Sequence, residues 1–340
     1  MQFIIHNRII YNADGKVANL STEKKDAAEK NLKKNGSGCT VRKPTGGKNM
    51  RILMITDIEG ANGIQFFNGW CHPSGAYYKL GCRFLTEEVN AVADGFFSED
   101  PEADILVWDG HGEGAIDSAI LDPRVSMQNS IVQWPEFQKQ FDGVAFVGQH
   151  AKAGAPQAHL AHTQTEDAID FRLNGISVGE FGQLLYAQAE KGGITFFAAG
   201  DLALTREAAA LAPKVVTVAV KEGLNPAVDA STPTDKVFAA ESAAIHYPRH
   251  RVLKELHEQA ARAMREFRLD PDSFRIQLPE PPYSAEAEYR PIGNLKQLFG
   301  DLPKRRIRTH EHDSVTGTLQ EFYSNLEWTA PNGREITELK

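Results

Sequence analysis

At 340 residues and 41% hydrophobic content, the chain carries enough apolar material for one large domain or two. Its formal net charge of -8 argues against the basic surface that nucleic-acid or anionic-membrane binding needs, and no apolar run approaches the roughly 20 residues that span a bilayer. The three cysteines, Cys39, Cys71 and Cys82, show no metal-like spacing, and no signal-peptide pattern opens the chain, so a reducing, cytoplasmic setting without disulfides is expected.

Residues 1–49 hold ten Lys and Arg against four Asp and Glu. With Gly36, Gly38, Gly46 and Gly47 marking linker, they read as a basic, disordered extension. At Arg51 the pattern changes. A short apolar run, Ile52 to Ile55, stops at Asp57 and Glu59, which fits a buried strand ending in two carboxylates. Extended chain points alternate residues the same way, so Asp57 and Glu59 share a face. Such a pair repels unless a proton or a cation lies between its members. Helical spacing then covers Ala76 to Phe97. Strands are predicted at Asp104–Trp108, Val144–Gly148, Ile194–Ala199 and Val215–Val220, and helices at Glu180–Lys191 and Leu202–Leu211. A hairpin turns at Asn174-Gly175. This alternation implies an α/β fold, a mainly parallel sheet with helices on both faces, over residues 50–225.

Residues 226–340 read as a smaller C-terminal α+β lobe. A long helical stretch is predicted over Lys236–Phe267, broken or kinked at Pro248. Strands are expected at Phe274–Leu278, Ala285–Tyr289 and Arg305–His310, with a short helix at Leu295–Phe299.

The candidate ligands fall at one edge of the predicted sheet. Asp57 and Glu59, His111, and His150 each lie one to three residues past the C-terminal end of a strand, the edge at which open α/β sheets bind ligands. With Glu180 they form a set of carboxylates and imidazoles suited to zinc or a similar ion. Five such groups exceed what one catalytic zinc uses and suit two ions that share a bridging carboxylate.

The segments Thr56-Asp57-Ile58-Glu59-Gly60, Asp109-Gly110-His111, Gly148-Gln149-His150-Ala151, Leu160-Ala161-His162-Thr163 and Val178-Gly179-Glu180-Phe181-Gly182, in this order, resemble the zinc-dependent D-aminopeptidase family. The resemblance covers about 51–225. It implies two Zn2+ per chain (Mn2+ or Co2+ would accept the same ligands), with Asp57 bridging them and Glu59, His111, His150 and Glu180 completing the shells. It further implies His162 as the catalytic residue and hydrolysis of N-terminal, D-configured amino acids from short peptides by a metal-bridging hydroxide. A homo-oligomeric ring, a decamer in the founding member, is part of the same expectation. Two departures stand out: Trp108 occupies a place where a small polar residue is expected, and a second histidine, His159, lies between His150 and His162.

A rival reading takes Gly175-Ile176-Ser177-Val178-Gly179 as a G-x-S-x-G nucleophile elbow, with Asp201 and then His246 or His250 as partners and the loop at His111 as oxyanion hole. It requires a buried strand before Ser177, whereas Phe171 to Asn174 is half polar, and it leaves Asp57, Glu59, His150 and His162 without a role. A non-enzymatic binding module would make the polar rim an ordinary hydrogen-bonded edge and would retain no metal.

Overall fold

The computed structural model describes residues 49–129, 140–280, 283–290 and 306–312. The extension before residue 49 and the helix expected at Leu295–Phe299 lie outside these residues. A seven-stranded sheet is built from β1 (Arg51–Thr56), β2 (Asp104–Asp109), β3 (Ser126–Asn129), β4 (Gly143–Gln149), β7 (Ile194–Asp201), β8 (Val216–Gly223) and β9 (Ala244–His246). Their order is β3-β2-β1-β4-β7-β8-β9, and every pair is parallel except β8 with β9. β4 and β7 are buried at every residue, which explains their unbroken apolar runs: helices cover both faces. On one face α2 (Tyr78–Glu99) and α6 (Arg249–Leu269) pack together over Ile52, Met54 and Val147; on the other, α3 (Glu180–Glu190) and α4 (Leu202–Leu211) cover Leu53, Ile55 and Phe146.

Strand order locates the binding crevice. From β1 the chain moves outward to β2 and β3, then returns to add β4 on the other side of β1. The crossovers after β1 and β4 therefore leave in opposite directions, and the crevice between their C-terminal ends is the topological switch point.

A second, four-stranded antiparallel sheet, in the order β11-β10-β5-β6, joins the hairpin β5 (Ala168–Leu173) and β6 (Ile176–Ser177) to β10 (Tyr283–Tyr289) and β11 (Arg306–His312). The hairpin turns where Asn174 and Gly175 both take positive φ, 49° and 78°, as a two-residue I′ turn requires. Elements beyond residue 225 enter both sheets, since β9 pairs with β8 and β10 with β5.

Two local expectations are corrected, and two elements are added. The stretch from Lys236 is not one kinked helix: α5 (Thr234–Ala240), β9 and α6 succeed one another, and Pro248 sits at the N-cap of α6, where its missing N–H is harmless. Phe274–Leu278 forms no strand; a 3-10 turn occupies Pro271–Phe274 and buries Phe274 against Phe267. A four-residue helix, α1 (Phe67–Trp70), and the polar edge strand β3 had no sequence pattern to announce them. Among the described residues, no helix is long and apolar enough to cross a membrane.

Candidate metal centre

All six candidate residues converge at the switch point. Asp57 and Glu59 follow β1, where the turn folds tightly against the end of β4: Asp57 N–H donates to Val147 O at 3.1 Å and Gly60 N–H to Gly148 O at 2.8 Å. This contact explains the glycine after Glu59, since a Cβ on Gly60 would lie 1.9 Å from Gln149 O. Gly148 takes φ +73°, and the β4–β7 register shifts there, a bulge that turns the next residues, Gln149 and His150, toward the crevice.

The Asp57 carboxylate stands between two imidazoles. Its Oδ1 lies 3.0 Å from His111 Nδ1, and its Oδ2 3.4 Å from His150 Nε2. Glu59 Oε2 reaches within 3.2 Å of His111 Nδ1. Glu180, the first residue of α3, has Oε1 3.7 Å from both His150 Nε2 and His162 Nε2. The His150 and His162 rings stack at 3.9 Å between centroids, and Phe67 and Phe238 close edge-on around His162 at 6.1 and 5.7 Å. Two overlapping groups have ligand atoms within 4.8 Å of one another: Asp57, Glu59 and His150, and His150, His162 and Glu180.

Each imidazole is oriented by a backbone carbonyl on its far side. His111 Nε2 meets Cys71 O at 2.8 Å, His150 Nδ1 meets Ala151 O at 2.9 Å, and His162 Nδ1 meets Leu160 O at 3.0 Å. A carbonyl only accepts, so the far nitrogen carries an N–H and the near nitrogen is left to face the carboxylates, where it can offer its lone pair to a shared cation. Glu59 Oε2 and His150 Nε2 are buried without a hydrogen-bond partner. Orphaned acceptors in one group whose ligand atoms lie within 4.8 Å of one another are what a cation would satisfy, so these residues fit a divalent ion.

Electrostatics agrees with the geometry. Burial works to raise the Asp57 carboxyl, but the His111 and His150 rings against it hold it well below the usual carboxylate range. Burial works to lower His150, yet the Asp57 carboxylate beside it and the Glu180 charge push it up to about 10. His111 rises for similar reasons, burial being outweighed by Glu59 and Asp57. His162 differs: burial, with the charge of His150 beside it, lowers its pKa and favours the neutral ring.

The departures from the family pattern have structural explanations. Trp108 is buried with Ile55 and Phe181 on the face covered by α3 and α4, where it lines a small pocket beside Asp57 and Glu180. His159 is fully buried away from the cluster, bonded to Gln65 O at 3.1 Å, with its ring against His246. The serine reading loses its triad: Ser177 Oγ lies 2.5 Å from Asp170 Oδ1 and 2.6 Å from Lys152 Nζ, while Asp201 accepts N–H groups from Ala151, His159 and Leu204.

Several residues around the cluster carry no motif. Gln149 Nε2 donates to Asp57 Oδ2 at 3.2 Å, Gln164 N–H donates to Glu180 Oε1 at 2.8 Å, and the buried Lys221 ammonium donates to Glu59 O. Lys221 leaves one trace in the sequence, a charge at the end of an apolar strand. The cluster opens into a cavity of about 360 Å3 lined by Asp57, Glu59, His72, Glu113, His162 and Gln164 among others.

A parallel sheet with a buried carboxylate–imidazole cluster at its switch point defines an α/β protein with a candidate metal-binding centre. The chain belongs to the D-aminopeptidase family, whose model matches residues 50–293. It is 28% identical over 182 residues to a D-aminopeptidase of Bacillus subtilis (strain 168), a match that spans 52% of this chain and 65%, less than two thirds, of that relative. Its fold is similar to the solved structure of DppA, a zinc-dependent D-aminopeptidase from Bacillus subtilis described as a self-compartmentalizing protease. That likeness has a TM-score of 0.64 at 21% identity and covers 81% of this chain and 94% of that one.

Proposed function

We propose that this chain is a zinc-dependent aminopeptidase that releases N-terminal D-amino acids from short peptides at a dinuclear centre. The observation that carries the reading is the set of three imidazoles, each held by a backbone carbonyl on its far nitrogen, turned on Asp57, Glu59 and Glu180 in a buried cluster with orphaned acceptors. Asp57, with one oxygen toward His111 and the other toward His150, would hold both ions. Glu59 and His111 would complete one shell, His150 and Glu180 the other. The chemistry supplied by such a centre is polarisation of the scissile carbonyl and a lowered pKa for the attacking water.

His162 is the catalytic residue of this reading. Its Nδ1–H is engaged by Leu160 O, so the free Nε2 is available to take a proton and pass it to the leaving amine. Glu113, exposed on the cavity wall, offers a carboxylate to the substrate ammonium. A cavity of about 360 Å3 suits a short peptide and not a folded chain. Assembly into a homo-oligomeric ring would restrict access further; the self-compartmentalizing neighbour and the exposed Phe66, Tyr77 and Leu80 support a subunit contact near the site.

The test is metal content by mass spectrometry on protein purified without added metal, paired with hydrolysis of D-Ala and L-Ala p-nitroanilides before and after chelation. About two zinc per chain, with D-selective activity that chelation removes and zinc restores, is expected. A metal-free protein whose activity yields to a serine-directed phosphonate would overturn the reading.

A further inference from the structure

His150 leaves β4 and Glu180 opens α3, and the residues between them pass through a long loop and the β5–β6 hairpin. Nothing in the covalent chain fixes the distance between these two side chains. The fixing comes from Glu207 on α4, which is 8% exposed. Its Oε2 accepts the N–H of Lys152 at 2.9 Å, and its Oε1 accepts the N–H of Gly179 at 2.9 Å. Lys152 is two residues past His150, and Gly179 immediately precedes Glu180. One carboxylate therefore pins the backbone on both sides of this part of the cluster, and each oxygen satisfies a donor that would otherwise be buried without a partner.

The two segments also touch directly. A Cβ on Gly179 would lie 2.7 Å from Lys152 Cβ and 2.9 Å from Lys152 Cα, so only glycine allows this approach. Lys152 Nζ then reaches across to Ser177, donating to Oγ at 2.6 Å and to O at 3.4 Å, while Ser177 Oγ donates to Asp170. The G-x-S-x-G stretch thus has a role without a nucleophile: its serine and last glycine form the outer and inner sides of a joint.

We propose that Glu207, backed by the Lys152–Ser177 contact, is a positioning residue that sets the spacing of His150 and Glu180 and so governs the affinity of one of the two ions. This rests on the dinuclear reading above. Asp57, Glu59 and His111 stand at the ends of β1 and β2, whose ladder does not involve Glu207. The effect is therefore selective for the ion held by His150 and Glu180.

The experiment is zinc titration of the metal-free full chain against a competing chelator for the wild type and for E207Q, E207A and S177A, with kcat and KM on D-Ala p-nitroanilide and thermal melting of the metal-free proteins. Glutamine keeps the length of Glu207 but offers one acceptor for two donors. E207Q is expected to retain one ion at wild-type affinity and to bind the other about 10- to 100-fold more weakly, with kcat falling at excess substrate and recovering when zinc is raised. S177A should shift the same ion in the same direction by a smaller factor, with an unchanged melting temperature. Wild-type affinity for both ions in E207Q and S177A, or equal weakening of both, would overturn the proposal. A wild-type chain that takes up no zinc would overturn instead the dinuclear reading beneath it.

Discussion

The cluster is assembled from two halves that are held by different means. Asp57, Glu59 and His111 follow β1 and β2, which pair residue for residue from Arg51 with Asp104 to Thr56 with Asp109. The ladder runs one bond further, Gly110 N–H to Thr56 O at 3.2 Å, so these ligands inherit their positions from the sheet. His162 and the backbone contact to Glu180 belong instead to the loop after β4. There Gln157, Leu160 and Gln164 take φ of 55°, 57° and 63°, a left-handed conformation that is unfavourable for a bulky buried residue such as Leu160. Each such residue costs on the order of 1–3 kcal/mol. Hydrogen bonds to buried carboxyl groups are of similar size, about 0.5–3 kcal/mol each, and offset that strain. Asp201 takes the N–H groups of Ala151 and His159, Glu241 that of Ala161, and Glu207 those of Lys152 and Gly179. A sheet positions ligands through its own backbone; a loop must borrow acceptors from elsewhere.

The largest effect should come from the residue that faces both halves. Asp57→Ala is expected to remove both ions and to lower kcat/KM on D-Ala p-nitroanilide by about 10^4-fold or more, equivalent to roughly 5 kcal/mol of transition-state stabilisation. Retention of one tightly held zinc would show that the halves are independent. His162→Ala acts on the loop half alone. Loss of the proton carrier should lower kcat by about 10^3-fold, with KM and zinc content near wild type. Loss of an ion in this variant would make His162 a ligand, consistent with its Nε2 lying as close to Glu180 as that of His150 does. Phe238→Ala should have a milder effect. Phe238 stacks on Phe67 at 4.2 Å and meets the edge of His162, so its removal loosens the ring without touching a ligand. Aromatic pairs contribute about 0.5–1.5 kcal/mol, which corresponds to a loss in kcat/KM of about 2- to 13-fold at unchanged zinc content.

The same division decides what the sequence discloses. β1, β2 and β4 are legible because burial on both faces makes them short apolar runs, and a carboxylate or histidine just past such a run stands out. β3, of sequence Ser-Met-Gln-Asn, is an exposed edge strand without an apolar pattern, and β9 hides within an alanine-rich helical stretch because only its pairing with the end of β8 makes it a strand. Around the cluster, Glu207 and Glu241 look like ordinary charges on helical segments. Their roles depend on which backbone N–H groups the fold brings to them, and neither periodicity nor spacing encodes that.

A further effect, on stability and not on catalysis, concerns His159, whose ring joins the loop half to Gln65. Burial, aided by the nearby Lys221 charge, pushes its pKa down to about 2, whereas an unfolded histidine titrates near 6.5. Above pH 6.5 the ring is neutral in both states, and its contribution to stability is fully present. As pH falls below 6.5, the unfolded chain takes up a proton that the folded chain refuses. Stability should then drop by up to about 1.4 kcal/mol per pH unit from this residue alone, the slope of one proton. His246, lowered to about 4, adds to the drop between pH 6.5 and 4. Buried Glu88 and Glu241 have raised pKa values of about 7 and 8, so their contribution runs the other way and is lost as pH rises. A difference measurement separates the terms. In urea unfolding of the metal-free protein at pH 7.5, 6.0 and 5.0, His159→Gln should be less stable than wild type at pH 7.5, and the gap should narrow toward pH 5. Parallel pH profiles for the two proteins would remove His159 as the acid-sensitive anchor, and the loop would then depend on its carboxylate acceptors.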